Sequence, residues 1–279
     1  MTSLLPVRWH PVELVVIVAV LLGQFRLVRE PRRRRLAVYA LASLALVTLW
    51  PVGDLAASVS LTVATAQRLV IMVLVAPLLL LSLPTAALVR ITRPRVVDAV
   101  VHRITHPGLA MGLVTIVGTV TLMTPAVDWG ARSAFGRDVV LLATLATGLV
   151  LWMPALAIMP GTRHLSPIAR AAYVFVAALV VTSLSFVWIF STHSLYPGLH
   201  GQRALLHISP LFDQQLAGFV AKLGAYIPMW AVSFTIFSRA DDRGTPVEET
   251  PLHWADVERE MLRVDRRRAR AERRRSHSA

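Results

Sequence analysis

Seven apolar runs alternate with loops that are arginine-rich on one side and arginine-poor on the other. The runs cover roughly residues 12–27, 36–52, 58–83, 107–125, 138–158, 169–190 and 214–238. A bilayer core about 30 Å thick takes about 20 mostly apolar residues per helix, so each run reads as a membrane span. The loops after the first, third and fifth runs, with the tail after the seventh, carry twenty-three arginines. The opposite set holds four, Arg8, Arg132, Arg137 and Arg203. Positive loops stay in the cytoplasm, which predicts an all-α bundle of seven transmembrane helices. Its amino terminus lies outside and its carboxyl terminus in the cytoplasm. The expected division is a membrane domain over residues 1–240 and a basic, partly helical cytoplasmic tail over 241–279.

Composition agrees. The chain is 55% hydrophobic and 16% charged, against about 25% charged in ordinary soluble domains. The formal charge is +13, and Lys222 is the single lysine. With no cysteine, disulfides, thiolate metal sites and a thiol nucleophile are all excluded. No phosphate loop, His-Glu-x-x-His pair or Gly-x-Ser-x-Gly elbow occurs, so no enzyme is indicated. The first run is short enough to suggest a signal peptide. Its basic residues follow the apolar stretch instead of preceding it, which favours an uncleaved helix.

Two basic segments lie outside the spans. Residues 85–105 mix Leu88, Val89, Val96, Val97, Val100 and Val101 with four arginines and Pro94. They predict a short helix in the cytoplasmic interface. In the tail, Pro251 follows Thr250 at a helix start, and Trp254, Val257, Met261 and Val264 recur at helical spacing. Anionic lipid headgroups or a protein partner suit this tail better than nucleic acid, because it has no recognised nucleic-acid-binding fold.

Within the membrane, Pro77, Pro154 and Pro228 predict bent helices, and Gly108-x-x-x-Gly112 and Ala217-x-x-x-Ala221 predict close helix approach. Arg68 and Lys222 each fall about ten residues inside a span, roughly 15 Å deep. Such charges need partners or water. One reading is an ion-pair network or separate snorkelling side chains. The other is an outward-opening polar pocket lined by Arg68 and Lys222 with Glu13 or Asp138. Imidazole and thioether suit copper, which makes His193, His200 and His207 of the outer loop, with Met123, candidate ligands. Their seven-residue spacing matches no recognised metal motif.

Three stretches resemble the bacterial CtaG-like cytochrome c oxidase assembly factors. Asp213-Gln214-Gln215-Leu216-Ala217-Gly218 is similar to that family's Asp-Gln-Gln-x-Ala-Gly signature. The run from Ala76-Pro77 to Leu80 resembles an Ala-Pro-Pro-Leu-Leu run, and Gly148 to Trp152 and Pro154 resembles a Gly-x-x-x-Trp-x-Pro helix. Where members commonly carry histidines, this chain has Gln67 and Arg68 ahead of the Ala-Pro stretch and Arg137 and Leu141 ahead of the Gly-x-x-x-Trp stretch. The resemblance implies a multi-pass protein of the bacterial inner membrane that assists assembly of the respiratory oxidase as a chaperone, with oxidase subunits as partners and copper as a possible ligand. It implies that Asp213 and Gln214 cap or shape the outer end of the last helix. The residues themselves leave two alternatives, a small-solute or ion permease and a membrane scaffold presenting its basic tail.

Overall fold

The computed structural model describes residues 30–49, 51–159, 165–196 and 208–241, with positions 15, 17–19, 22, 23 and 28. The chain divides into two units, Met1–Phe237 and Ser238–Ala279. Of the second, only residues 238–241 are described. The expected first span lies mostly outside the described residues, and the tail from residue 242 lies wholly outside them.

Every regular element among the described residues is helical. In chain order they are α1 (Pro31–Thr48), α2 (Val52–Ser58), α3 (Leu61–Leu69), a π-helical turn (Val70–Val75), α4 (Ala76–Ser82), α5 (Thr85–Thr92) and α6 (Arg95–Ile104). There follow α7 (Pro107–Val120), α8 (Thr124–Arg132), α9 (Ala134–Leu156), α10 (Pro167–Val181), α11 (Ser185–Phe190) and α12 (Pro210–Asp241). Four helical stretches are long and apolar enough to cross a membrane: Leu61–Ser82, Ala134–Leu156, Pro167–Phe190 and Pro210–Ala240. A fifth arises if α6 and α7, bent by 85°, count as one span.

Local chemistry sets where these helices start. The side chains of Ser60, Ser133 and Ser166 accept from Val63, Gly136 and Ala169 N–H and cap α3, α9 and α10, satisfying donors that a helix start leaves unpaired. In α1, Pro31 opens the helix and Arg32 to Arg35 form its first turn, so the helix begins five residues before the apolar run expected from 36. Arg33 Nη1 donates to the Leu83 carbonyl just past α4 at 2.6 Å, where a cation meets the negative end of a helix. Ala37, Ala40, Leu41, Leu44 and Val47 are buried on one face of α1, the spacing of an amphipathic helix. α10 stops before α11 because Thr182, Ser183 and Ser185 hydroxyls donate to nearby backbone carbonyls, which competes with helix continuation.

The outward faces are apolar. Leu46, Phe190 and Phe234 are 72%, 76% and 71% exposed, on helices whose other faces form the core. Contiguous exposure of that extent is unstable in water. The protein is a membrane protein.

The predicted interfacial helix is two helices, α5 and α6, separated at Arg93 and Pro94. Proline disfavours helical geometry in the residue before it. No residue of α6 is buried, and Val96 and Val100 are exposed on it alongside Arg95 and Arg103. Among the described residues the Gly108/Gly112 pair shows no close helix approach. A Cβ on Gly112 would meet nothing within 4 Å, and one on Gly108 would meet only the His106 ring.

Candidate functional site

The Asp-Gln-Gln stretch at the start of α12 reaches away from its own helix. The Asp213 carboxylate accepts from Ser60 Oγ at 2.7 Å, from Leu61 N at 2.7 Å and from Thr62 N at 3.2 Å. Thr62 Oγ1 donates in return to the Asp213 carbonyl at 2.9 Å. Asp213 is fully buried, and it caps α3. Its own helix is opened instead by Ser209, whose Oγ accepts from Phe212 N at 3.2 Å. Of the two expected roles, capping or shaping the outer end of α12, Asp213 does not take the first, because Ser209 caps that helix.

Gln214, also fully buried, accepts from Leu195 N at 2.7 Å and donates to the His193 carbonyl at 3.4 Å. Gln215 donates to the Ser191 carbonyl at 3.3 Å. Gly218 permits the approach of α11, since a Cβ there would stand 2.7 Å from Ile189 Cγ1 and 2.9 Å from the Ser185 carbonyl oxygen. The hexapeptide thus ties α12 to the start of α3, to α11 and to residues 191–195.

That loop is fastened from its other side as well. Tyr196 is buried and donates to the Leu122 carbonyl at 2.7 Å, while Trp188 Nε1 donates to its hydroxyl at 3.0 Å. Thr124 Oγ1 donates to the Leu195 carbonyl at 3.0 Å. Burial pushes the Tyr196 phenol up to about 12 from its ordinary 10.0, with Trp188 and the Arg68 charge acting against the rise. His193 and Met123 are exposed at this same end of the bundle. His200 and His207 lie outside the described residues. Among the described residues no three of His, Asp and Glu come together as a metal-ligand set.

The other two resemblance stretches form one device. In the π-turn before Pro77, Ala76 N donates to the Ile71 carbonyl, five residues back. The next carbonyl, Met72, would pair with the nitrogen of Pro77, which has no proton. Trp152 Nε1 donates to that carbonyl at 2.8 Å. Gly148 allows the contact, because a Cβ there would lie 2.9 Å from both Met72 Cα and Ala76 Cβ. Pro154 sits in the last turn of α9, which ends at Ala157 in the left-handed region. Carbonyls of that turn are met from α10, Leu151 by the Tyr173 hydroxyl at 3.0 Å and Ala155 by Arg170 Nε at 2.6 Å.

Gln67, Arg68, Arg137 and Leu141 all line one cavity of about 90 Å³, roofed in part by α8. Arg68 donates to Thr144 Oγ1 at 3.3 Å and to the Gly118 carbonyl at 3.1 Å. Arg137, buried, stands 3.9 Å from Asp54 and 3.8 Å from Asp138. Gln67 donates to the Val47 carbonyl at 2.7 Å. Lys222 is elsewhere. Its Nζ lies 3.5 Å from Thr182 Oγ1, 4.0 Å from the Phe186 ring centre and 4.3 Å from that of Tyr226, an arrangement that stabilises a cation by the ring faces. Glu13 lies outside the described residues. The sequence placed Arg68 and Lys222 in one pocket. The cavity instead joins Arg68 to Arg137, which the sequence had assigned to a loop.

No curated protein and no solved structure matches this chain. A family model described as the cytochrome c oxidase caa3 assembly factor (Caa3_CtaG) matches residues 18–241. That span contains both motif devices and every wall of the arginine cavity, and the chain therefore belongs to the cytochrome c oxidase caa3 assembly factor family.

Proposed function

We propose that this protein assists assembly of a cytochrome c oxidase in the bacterial inner membrane, as a chaperone and not as an enzyme. The family match across residues 18–241 carries the reading. Its partners are oxidase subunits, with anionic lipid headgroups at the arginine-rich cytoplasmic segments. Seven spans, an outer amino terminus and a cytoplasmic tail are part of the proposal, supported by the division of arginines between alternate loops. The Asp-Gln-Gln stretch lies at the predicted outer face, where the 191–196 loop is fastened by Gln214, Gln215 and Tyr196. A fixed loop suits a docking surface, since ordering it costs nothing on binding.

Deleting the gene and measuring haem-copper oxidase activity tests this. Lost activity supports the assembly role, and unchanged activity overturns it. Copper is proposed as cargo at the same face, on ligand chemistry alone: imidazole from His193, His200 and His207 and thioether from Met123 suit the reduced ion. Rescue of the deletion by added copper supports delivery, whereas loss without rescue leaves a chaperone role without metal. Replacing the three histidines by alanine abolishes a stoichiometric copper signal if the loop binds metal. An unchanged signal, or none in the wild type, removes copper. Truncation at Pro251 leaves oxidase activity intact if the outer face does the work.

A further inference from the structure

We propose that Lys222, with the aromatic seam around it, docks a membrane-spanning helix of a partner protein that carries an aspartate or glutamate inside the bilayer. Lys222 belongs to the membrane-crossing stretch Pro210–Ala240, twelve residues and roughly 18 Å past its first residue. Its Nζ rests beside Thr182 of the neighbouring stretch Pro167–Phe190, eight residues and roughly 12 Å short of that stretch's end. By either measure the ammonium lies well inside the membrane.

Rings continue in contact on both sides of it. Phe186 and Tyr226 face the ammonium. Phe186 stacks on Phe190 at 6.4 Å between ring centres, Tyr226 meets Trp230 at 4.8 Å, and Trp230 stacks on Phe175 at 5.0 Å. These side chains join α10, α11 and α12 in one seam, and Phe175, Phe186, Phe190 and Trp230 are exposed along it. The seam is therefore an apolar surface with a single cation at its centre.

Charge decides what covers it. The ring faces and one hydroxyl offset only part of the cost of a charge at that depth, and they bring no counter-charge. Among the described residues Lys222 makes no ion pair, its contacts being Thr182 and the two rings. The described acids are placed elsewhere: Glu30 against Arg33, Asp128 against Arg132, Asp54 and Asp138 against Arg137, and Asp213 at the start of α3. Asp98 lies on α6, and Asp241 ends α12 nineteen residues further on. Lipid does not supply the charge either. Exposed Leu216 and Phe219 occupy the two turns of α12 before Lys222 and separate it from headgroup phosphates at that surface, while acyl chains at its own depth are neutral. A carboxylate reaches this depth on a protein helix, whose apolar side chains cover the rings while its acid meets Nζ. Such a pair is strong where the dielectric is low. The assembly reading, on which this inference rests for the partner's identity, makes that helix part of an oxidase subunit.

Photocrosslinking in the native membrane tests it, with benzoylphenylalanine in place of exposed Phe219 and, as a control, in place of exposed Leu46 of α1. The expected result is a crosslink from position 219, and not from 46, to a membrane-spanning segment containing an aspartate or glutamate. Lys222→Met lowers its yield at least about tenfold, while Lys222→Arg retains most of it. Neutralising the partner's acid lowers the yield as much, and adding Lys222→Met to that change lowers it no further. Absence of a crosslink, a segment without a carboxylate, or an undiminished yield in Lys222→Met overturns the docking site. The unfolding temperature of Lys222→Met in detergent stays equal or rises if the lysine serves docking; a clear fall shows that it serves packing and overturns the inference. Lost oxidase activity on gene deletion, with no such crosslink, defeats this site and leaves the assembly role standing. Unchanged oxidase activity, with a crosslink to an acidic helix of another membrane protein, does the reverse.

Discussion

Asp213 and Ser60 lie 153 positions apart in the chain, yet the carboxylate of one accepts a 2.7 Å hydrogen bond from the hydroxyl of the other. Between them they satisfy the first backbone donors of α3, Ser60 through Val63 N and Asp213 through Leu61 and Thr62 N. A helix start carries partial positive charge, which stabilises a buried carboxylate placed there. The cap and the close packing at Gly218 hold α12, α3 and α11 at one end of the bundle.

Asp213→Asn keeps an acceptor but removes the charge, and we expect it to cost about 1.5–3 kcal/mol. Ser60→Ala should cost about 1 kcal/mol. If the pair acts as one cap, the double variant falls short of the sum by at least about 0.5 kcal/mol. Denaturant unfolding in detergent measures all three, and strict additivity would show that the two residues act separately.

Two glycines that look alike in sequence should behave oppositely. A Cβ at Gly148 has no room between Met72 and Ala76, whereas at Gly112 it meets open space. Gly148→Ala is expected to destabilise by about 1–3 kcal/mol through overpacking and to pull Trp152 Nε1 from the Met72 carbonyl. Gly112→Ala should be neutral or stabilising by up to about 1 kcal/mol, the gain in helix propensity. Unfolding temperatures of the two variants decide it, and equal effects would contradict the packing at Gly148.

The helices were legible because apolar runs of this length have few other solutions. The structure places Leu61–Ser82 where 58–83 was expected, and Ala134–Leu156 where 138–158 was. Differences fall at polar helix ends. Arg32 to Arg35 belong to α1, and Ala134 to Arg137 to α9 behind the Ser133 cap, turns that an apolar run cannot report. α8 was hidden for a related reason. It is a short, half-exposed helix between spans, and its residues read as a loop. The Asp213 cap and the Trp152–Met72 bond join side chains to backbone across 152 and 80 positions, and such contacts leave no periodic mark. Arg68 was visible as an intramembrane charge. Its neighbour Arg137 was not, because the last polar turn of a loop and the first turn of a span look the same in sequence.

Reporter fusions test the proposed orientation, which rests on loop arginines. Fusions after Ala126 and Ser194 should report from the periplasm, and those after Arg95 and Ala240 from the cytoplasm. A cytoplasmic signal at Ser194 would sink the seven-span arrangement, because it would put the clamped loop and the tail on the same side.

Tyr196 gives the loop clamp an alkaline limit. Its phenol is held to about 12 in the folded protein against an ordinary 10.0, chiefly because it is buried. A folded pKa above the unfolded one means that the unfolded chain loses its proton first as pH rises. Stability is therefore unaffected by this group below about pH 10 and falls as pH climbs from 10 towards 12, by roughly 3 kcal/mol if the full difference is expressed. Tyr196→Phe should start lower at neutral pH, having lost its bonds to Trp188 and to the Leu122 carbonyl. Its stability should then decline less steeply across that window. Unfolding in detergent at a series of pH values, followed beside tyrosinate absorbance, measures both. Parallel slopes in the two proteins would show that Tyr196 ionises as freely when folded as when unfolded, and that the clamp does not exclude water from it.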